Sequence, residues 1–303
     1  MDINQLEMFV RVAAMKSFTN AAESLFLSQP TVSARMKGLE TELGVQLFDR
    51  SRPRYLSLTE HGMLFWDYAQ QILNLHNNAL DKLNKLHGKP SGFLRIGAGS
   101  VPGTYILPGI IAEFNKLYPD VKIGLFINDS SEVVSGVNSY SYDLGFVGYN
   151  EDDPLLEYIK IKEDELILIA HPDMFKENDL SGKDTIPLES LLETNFILRE
   201  PGSATRKVLE DNLNKKGYSF KDFRSLVYID NLEGIKQAVR AGLGVSVVSR
   251  LSAEDYLNSG FLKDFYLNDI KLNRSFYLVY NKNRVLNNVS NTFMLFVRNN
   301  YLS

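Results

Sequence analysis

The chain has 303 residues, of which 44% are hydrophobic and 23% are charged, and its formal net charge is −4. This composition is typical of a folded protein of about two domains, and the net charge excludes a globally basic coat for nucleic acid. The absence of cysteine excludes disulfides, thiolate metal sites and cysteine nucleophiles. With no leader pattern and no apolar run of roughly 20 residues, we expect a cytoplasmic protein with no membrane partner.

The first sixty residues predict three helices with a tight turn before the third. The first helix covers residues 1–16, and Thr19 is expected to cap the second. In the third helix Ser28 is a good N-cap, Pro30 fits the first turn, and Gly44 fits the position after the last turn. Apolar residues at offsets of 0, 4, 7 and 11 from the first predict one buried stripe along it. The stripe consists of Val32, Met36, Leu39 and Leu43.

The opposite face of the third helix is polar. Its side chains are of the types that donate to phosphates or to base edges in a major groove, and three helices with this turn form the helix-turn-helix pattern. A solvated face on an ordinary amphipathic helix is the alternative. The predicted DNA contacts of this helix are Ser28, Gln29, Pro30, Thr31, Ser33, Arg35 and Lys37.

A basic, proline-containing turn follows the third helix and predicts a β-hairpin wing. Residues 55–59 alternate like a short strand, and residues 51–54 form the tip. Arginine is favoured in a narrow minor groove by the negative potential there, although a solvated turn is the alternative. Residues 1–60 carry seven basic and seven acidic side chains, so specificity should depend on a few aimed contacts. The predicted DNA contacts of the wing are Arg50, Arg52 and Arg54.

Residues 60–88 predict one long helix. Apolar residues spaced by 4, 4, 3, 4, 4 and 3 positions form a heptad stripe, which favours a coiled-coil dimer; a helix lying on its own domain's core is the alternative. Phe65 and Trp66 are expected to pack on the winged domain, and residues 88–92 have the composition of a hinge. The stripe consists of Leu64, Tyr68, Ile72, Leu75, Ala79, Leu83 and Leu86.

From residue 92 onward, strands alternate with helices, which predicts an α/β domain with a largely parallel sheet. Such sheets place ligands at the carboxyl ends of strands, beside helix N-termini. The turns at 99–104 and 199–206 would form a two-sided anion clamp if they face each other across a cleft; ordinary capped turns are the alternative. The candidate effector contacts in these turns and on the rim are Ser100, Val101, Gly103, Thr104, Gly148, Tyr149, Glu200, Gly202, Ser203, Thr205 and Asn231.

The sequence carries no recognisable catalytic or cofactor motif. Residues 97–102 approach a dinucleotide fingerprint but place Pro102 where a glycine is required. A phosphate-binding loop and a nucleophile elbow are absent, and the four histidines lack the spacing of metal ligands. We therefore expect no enzyme, no cofactor and no metal. The alternatives to a regulator are an α/β enzyme with a DNA-binding appendage, and a solute-binding protein, which the helix-turn-helix contradicts.

Residues 21–62 resemble the N-terminal signature of the LysR-type transcriptional regulators, and the whole chain is similar to that family in length and order. His61 departs from the small residue usual before Gly62. The run at 199–206 looks closest to the branch that governs carbon- or sulfur-assimilation genes. The matching positions are Ala21, Ala22, Leu25, Ser28, Gln29, Pro30, Ser33, Leu39, Glu40, Leu43, Gly44, Leu47, Phe48, Arg50, Arg52, Leu58, Thr59 and Gly62.

The resemblance implies a winged helix-turn-helix over residues 1–59, a dimerisation helix over 60–88, and an α/β effector-binding domain over 92–303 that is similar to periplasmic binding proteins. It implies a cytoplasmic homodimer or homotetramer on an interrupted palindromic DNA operator, with RNA polymerase as a further partner. A small, anionic metabolite would bind between two lobes joined by crossover strands. The lobes would be residues 92–164 with 268–303, and residues 165–267.

Overall fold

The structure is a computed structural model that describes residues 1–49, 56–84, 90–175, 185–268, 270–284 and 286–302. The chain divides into two compact units. The first unit is Met1–Lys89 with Asn283–Asn288, and the second is Pro90–Lys282 with Val289–Ser303. In the part of the chain that the structure describes, no helix is long and apolar enough to cross a membrane.

The first unit begins with three helices: α1 (Ile3–Met15), α2 (Phe18–Ser24) and α3 (Gln29–Leu43). The Asp2 carboxylate caps α1 by accepting the Gln5 N–H at 2.7 Å. Helix α2 starts earlier than expected, because the Ser17 hydroxyl, and not Thr19, accepts the free N–H of Asn20. The helix-turn-helix predicted from these caps is confirmed.

Helix α3 has the two ends that the sequence predicts. The Ser28 hydroxyl accepts the Thr31 N–H at 3.4 Å. The second helical position is Pro30, and its lack of an N–H costs no hydrogen bond, because N–H groups in the first turn have no partner within the helix. Gly44 ends the helix with φ of 71°, a left-handed conformation that glycine adopts without a Cβ clash. The predicted stripe faces inward, with Val32, Met36 and Leu39 buried.

An aromatic cluster around Phe9 forms the core of this unit. Helix α4 (Glu60–Asn84) enters the cluster through Phe65, whose ring centroid lies 4.9 Å from that of Phe9, and through Trp66 at 6.3 Å. Their predicted packing on the winged domain is therefore confirmed. The strands β1 (Phe48–Asp49) and β2 (Ser57–Leu58) pair antiparallel at the base of the wing.

The apolar stripe of α4 is largely open in the single chain. Leu64, Tyr68, Ile72 and Leu75 are all exposed, so the alternative of a helix lying with this face on its own core does not hold for these four residues. Burying one such side chain contributes about 1.5–3 kcal/mol. The stripe therefore has the area and spacing for a second helix.

The second unit opens with a parallel sheet in which β3 (Gly92–Gly99) is flanked by β4 (Val121–Asn128) and β5 (Leu144–Val147). Helices α5 (Leu107–Leu117) and α6 (Ser130–Asn138) connect these strands. A π-helical turn over Pro102–Ile106 precedes α5. This turn brings the chain from the carboxyl end of β3 directly into helical conformation.

Two long strands connect this first lobe of the unit to a second one. Strand β6 (Leu156–Ala170) pairs with β12 (Asn273–Asn281) over its first part and continues into the second lobe. On the way back, β12 lies between β6 and β5 and runs antiparallel to both. The sheet is therefore mixed, and the expectation of a largely parallel sheet is wrong. Helix α11 (Asn288–Tyr301) closes the chain.

The second lobe consists of short strands and helices between these two crossovers. Its elements are β7 (Thr185–Ile186), α7 (Leu188–Leu192), β8 (Asn195–Leu198), α8 (Ala204–Lys215), β9 (Ser225–Tyr228), α9 (Leu232–Arg240), β10 (Ser246–Ser249), α10 (Arg250–Asn258) and β11 (Lys263–Leu267). Strands β8 and β9 are parallel, whereas β10 and β11 run antiparallel to the last part of β6.

Candidate functional site

The polar face of α3 is available to a ligand. Gln29, Pro30, Arg35 and Lys37 are exposed, while Thr31 and Ser33 are partly buried. The Ser28 hydroxyl lies 2.8 Å from that of Thr31 and caps the helix. The amide, guanidinium and ammonium groups therefore offer donors at the helix surface. Arg50, Arg52 and Arg54 lie outside the described residues, and their contacts stay a prediction.

In the second unit, the two predicted turns meet across a narrow niche of about 20 Å³. That volume holds about one water molecule. The turn after β3 faces the start of α8, and both lie against the crossover strand β12. The residues that line the niche are Gly99, Ser100, Val101, Pro102, Asp129, Ser130, Gly148, Arg199, Ser203, Ala204, Thr205, Arg274 and Phe276.

Arg199 joins the two turns. Its guanidinium is almost fully buried and makes a bidentate ion pair with Glu200, at 2.7 Å from Nε and 2.6 Å from Nη2. The same Nη2 donates to the Ser100 hydroxyl at 3.2 Å, across the niche. Such a fork fixes geometry as well as charge, so Arg199 holds the niche in a narrow state.

Arg274 forms the floor of the niche. Its Nε donates to Asp164 at 2.7 Å, and its Nη1 donates to the Thr205 hydroxyl at 3.0 Å. The other oxygen of the Asp164 carboxylate, Oδ1, accepts a hydrogen bond from the Ser249 hydroxyl at 2.6 Å. Burial lowers the pKa of the Arg274 guanidinium, and the Asp164 charge opposes that shift. The remaining nitrogen, Nη2, is buried with no hydrogen-bond partner in the described part of the chain.

Glycine permits the close approach of the lobes at this point. A Cβ on Gly148 would lie 2.9 Å from the Ala204 Cβ and 3.0 Å from Arg274 Nη1. A Cβ on Gly202 would overlap the Asp129 carboxylate. A side chain at either position would therefore clash with its neighbours, since ordinary carbon–carbon contacts lie at about 3.5–4.0 Å.

A larger cavity of about 620 Å³ adjoins the niche and shares Ser100 and Asp129 with it. Its volume falls in the range of small-molecule sites, which is about 300–1,000 Å³. The residues that line it are Ser100, Thr104, Tyr105, Ile127, Asn128, Asp129, Glu132, Glu200, Asp230, Asn231, Leu232 and Glu233.

Five of these residues are acidic, which the sequence did not predict for an anion site. Glu200 is paired with Arg199, and Glu233 with Lys236 at 2.8 Å. The hydrogen bond from Lys236 lowers the pKa of Glu233, so this carboxylate stays charged. Asp129 caps α6 by accepting the Glu132 N–H at 2.9 Å. The cavity therefore favours positive charge and hydrogen-bond donors, whereas the niche favours an acceptor.

The predicted effector residues are distributed over both spaces. Ser100 lines both; Thr104, Glu200 and Asn231 line the cavity; and Val101, Gly148, Ser203 and Thr205 line the niche. Gly103, Tyr149 and Gly202 line neither. A Cβ on Gly103 would meet Ile127 at 2.9 Å, and the Tyr149 ring lies 4.3 Å from the Lys207 ammonium.

Sequence reasoning missed Arg274, Asp164 and Asp129. Arg274 and Asp164 are charged residues inside strands, buried where an apolar side chain is usual. A charged residue directly before an apolar strand was the available signal, but their pairing joins positions 110 residues apart. Asp129 directly precedes α6, so its pattern was that of an ordinary helix cap.

Two known protein families match the two parts of the chain. The bacterial regulatory helix-turn-helix family named for lysR matches residues 3–63, and the LysR substrate binding domain matches residues 87–301. An uncharacterized HTH-type transcriptional regulator of Methanocaldococcus jannaschii is 35% identical, and the match covers 91% of this chain and 92% of that protein.

Two further relatives are each 32% identical. The match to the HTH-type transcriptional regulator CysL of Bacillus subtilis covers 98% of this chain and 97% of that protein. The match to a probable RuBisCO transcriptional regulator of Cyanidioschyzon merolae covers 96% of this chain and 95% of that protein. All three relatives are named as transcriptional regulators.

Solved structures show the same fold. A full-length OxyR variant of Pseudomonas aeruginosa has a TM-score of 0.74 at 22% identity, with 98% of this chain and 95% of that chain covered. CbnR in complex with its target DNA has a TM-score of 0.64 at 20% identity, with 99% of both chains covered. The CcmR regulatory domain of Synechocystis PCC6803, in complex with 2-PG, has a TM-score of 0.59 at 23% identity, with 68% of this chain and 96% of that chain covered.

Proposed function

The chain belongs to the LysR family of transcriptional regulators, and we propose that a small acidic metabolite controls it from the niche between the two lobes. The observation that carries the proposal is the buried Nη2 of Arg274, which has no partner among the described residues. A buried donor without a hydrogen-bond acceptor costs about 1–3 kcal/mol of stability, and a charged donor costs more. An oxygen of the ligand's acidic group would satisfy this donor.

The surroundings of the niche support an acceptor oxygen. Helix α8 begins there, and the hydroxyl of its N-cap, Ser203, makes no capping bond, so the first N–H groups of the helix are available to an anion. Ser100 and Thr205 add hydroxyls from the two lobes. The acid would thus compete for the contacts that Arg199 and Arg274 make in the closed niche.

The adjoining cavity narrows the chemical class of the metabolite. Asp129, Glu132 and Asp230 line it without an ion-pair partner among the described residues. Two like charges 4 Å apart repel by about 4 kcal/mol at an effective dielectric constant of about 20, so a second anionic group there is disfavoured. The proposed ligand has one acidic end in the niche and hydroxyl or amino donors in the cavity.

DNA reading is proposed for the exposed face of α3, from Ser28 to Lys37, together with the wing arginines Arg50, Arg52 and Arg54. Two copies of α3 would enter successive major grooves about 34–36 Å apart, or a multiple of that distance. Pairing of the α4 stripes would set this spacing, in a homodimer or a homotetramer on an interrupted palindrome. We place this regulator in the cytoplasm, with RNA polymerase as its further partner.

The names of the relatives support the branch that governs carbon or sulfur assimilation. Acids with one acidic group and several hydroxyl groups are the first probes, with shikimate as one of them, and 2-PG serves as the comparison with two acidic groups. The full chain would be titrated with each acid by calorimetry, and a DNA site selected in vitro by the full chain would be footprinted with and without the acid. Binding stabilises the native state by RT ln(1 + [L]/Kd), so melting temperature gives a second readout.

The matched variants distinguish the two parts of the site. Ser100→Ala should weaken acid binding about tenfold and leave the DNA footprint intact, because it removes one hydroxyl of the niche. Glu132→Gln should instead improve binding of acids with two charged groups. If none of the acids binds, or if binding is equal in both variants, the niche is not the effector site.

A further inference from the structure

Phe26 combines two unfavourable features in the turn between α2 and α3. Its backbone has φ of 55°, in the left-handed region that a bulky residue rarely adopts. Its side chain is 98% exposed. The phenyl ring thus gains no packing in the free chain that would compensate for the backbone conformation.

The other positions with positive φ show how unusual this combination is. Among the described residues, five of the eight are glycines, and the other two non-glycine positions are Lys16 and Tyr140. Tyr140 is 8% exposed, so its ring is packed in the protein, and Lys16 is polar. Phe26 alone among the described residues places a large apolar side chain in solvent from a strained backbone.

The backbone of this turn is held firmly. The Phe26 N–H donates to the Glu23 carbonyl at 3.1 Å, and the Leu27 N–H donates to the Ala22 carbonyl at 2.9 Å. These two bonds form the Schellman motif, with Phe26 at the position where glycine is usual. Phe26 therefore projects from a fixed point, shortly before Gln29 begins α3.

The surface next to Phe26 is the one proposed to contact DNA. Gln29 and Pro30, at the start of α3, are exposed on the face proposed to enter the major groove. The apolar group that DNA presents in that groove is the C5-methyl of thymine. We infer that Phe26 packs on a thymine methyl at the edge of each half-site, and so contributes to the choice of DNA sequence; this inference rests on the proposed role of α3.

The test uses the full chain and a DNA site that the wild-type protein selects in vitro. Each thymine in the site is replaced in turn by deoxyuridine, which removes only the methyl group. One replacement per half-site should weaken wild-type binding about three- to tenfold, as expected for one buried methyl contact. That position should have no effect on Phe26→Asn, while Phe26→Leu should keep part of the sensitivity.

Two further readouts separate this contact from other roles. The slope of affinity against salt should be the same in Phe26→Asn as in the wild type, since no phosphate contact is lost. Its melting temperature should not fall, because asparagine tolerates the left-handed conformation. Met15→Ala, at an exposed apolar residue at the end of α1, is the matched control and should bind like the wild type.

If the full chain selects no site, the proposed role of α3 fails first, and the inference fails with it. If a site is selected but every deoxyuridine position binds the wild type equally, Phe26 does not contact a thymine methyl. If Phe26→Asn keeps its affinity and site preference but loses transcription activation, the ring contacts a protein, and the inference is wrong.

Discussion

Arg274→Met should strongly destabilise the second unit. The side chains of Arg274 and Asp164 are only 4% and 3% exposed, and their ion pair is 2.7 Å long. The variant would leave the Asp164 carboxylate buried, still accepting the hydrogen bond from Ser249 but without its positive counter-charge. Breaking a buried pair in this way costs about 3–5 kcal/mol, because one charge is left without compensation.

The size of this unit converts the loss into a melting temperature. Domains of about 150–250 residues lose about 2–4 °C for each kcal/mol, and Pro90–Lys282 with Val289–Ser303 falls in that range. We therefore expect the melting temperature to fall by about 6–20 °C. Differential scanning calorimetry of the full chain without ligand measures this value.

A double variant and a surface control test whether the uncompensated charge of Asp164 causes the loss of stability. Arg274→Met with Asp164→Leu removes both charges, and replacing a buried pair by apolar residues is often neutral or stabilising, so most of the loss should be recovered. Lys160→Met breaks an exposed pair with Glu163 in the same strand and should leave the melting temperature unchanged. A double variant as unstable as the single one would refute the charge argument.

Three further substitutions test the niche, the apolar stripe of α4 and the winged domain. Thr205→Val should leave DNA binding intact and weaken acid binding about tenfold, because the acid loses one of the hydroxyl donors that line the niche; calorimetry measures the acid affinity. Ile72→Glu with Leu75→Glu should yield monomers in sedimentation, because both positions lie on the exposed apolar stripe of α4. Gly62→Ala should unfold the winged domain at a lower temperature by circular dichroism, because its Cβ would overlap the Leu47 carbonyl.

Each of the three has a matched control. Thr205→Ser keeps the hydroxyl and should bind the acid normally, and equal loss in both variants would contradict the contact. Gln71→Glu adds a charge at another exposed position of α4, and dimers that survive the stripe charges would place the contact elsewhere. Gly38→Ala meets nothing within 4 Å and should stabilise α3 by about 1 kcal/mol.

The sequence by itself determined those features that depend on interactions over three or four residues. The N-cap at Ser28, the left-handed end at Gly44 and the inward stripe of α3 all follow from such local rules. They were sufficient for the helix-turn-helix. The strand–helix alternation beyond residue 92 also predicted an α/β fold and located both turns that the structure brings together at the niche.

The tertiary structure decided how distant charges combine. The niche depends on Arg274 meeting Asp164 and Thr205, from three segments far apart in the chain, and the acid-lined cavity depends on carboxylates from both lobes. The antiparallel crossover likewise arose from strand pairing that no local spacing encodes. Burial depends on what packs against a segment, so the exposure of Phe26 could not be predicted from the turn before α3 alone.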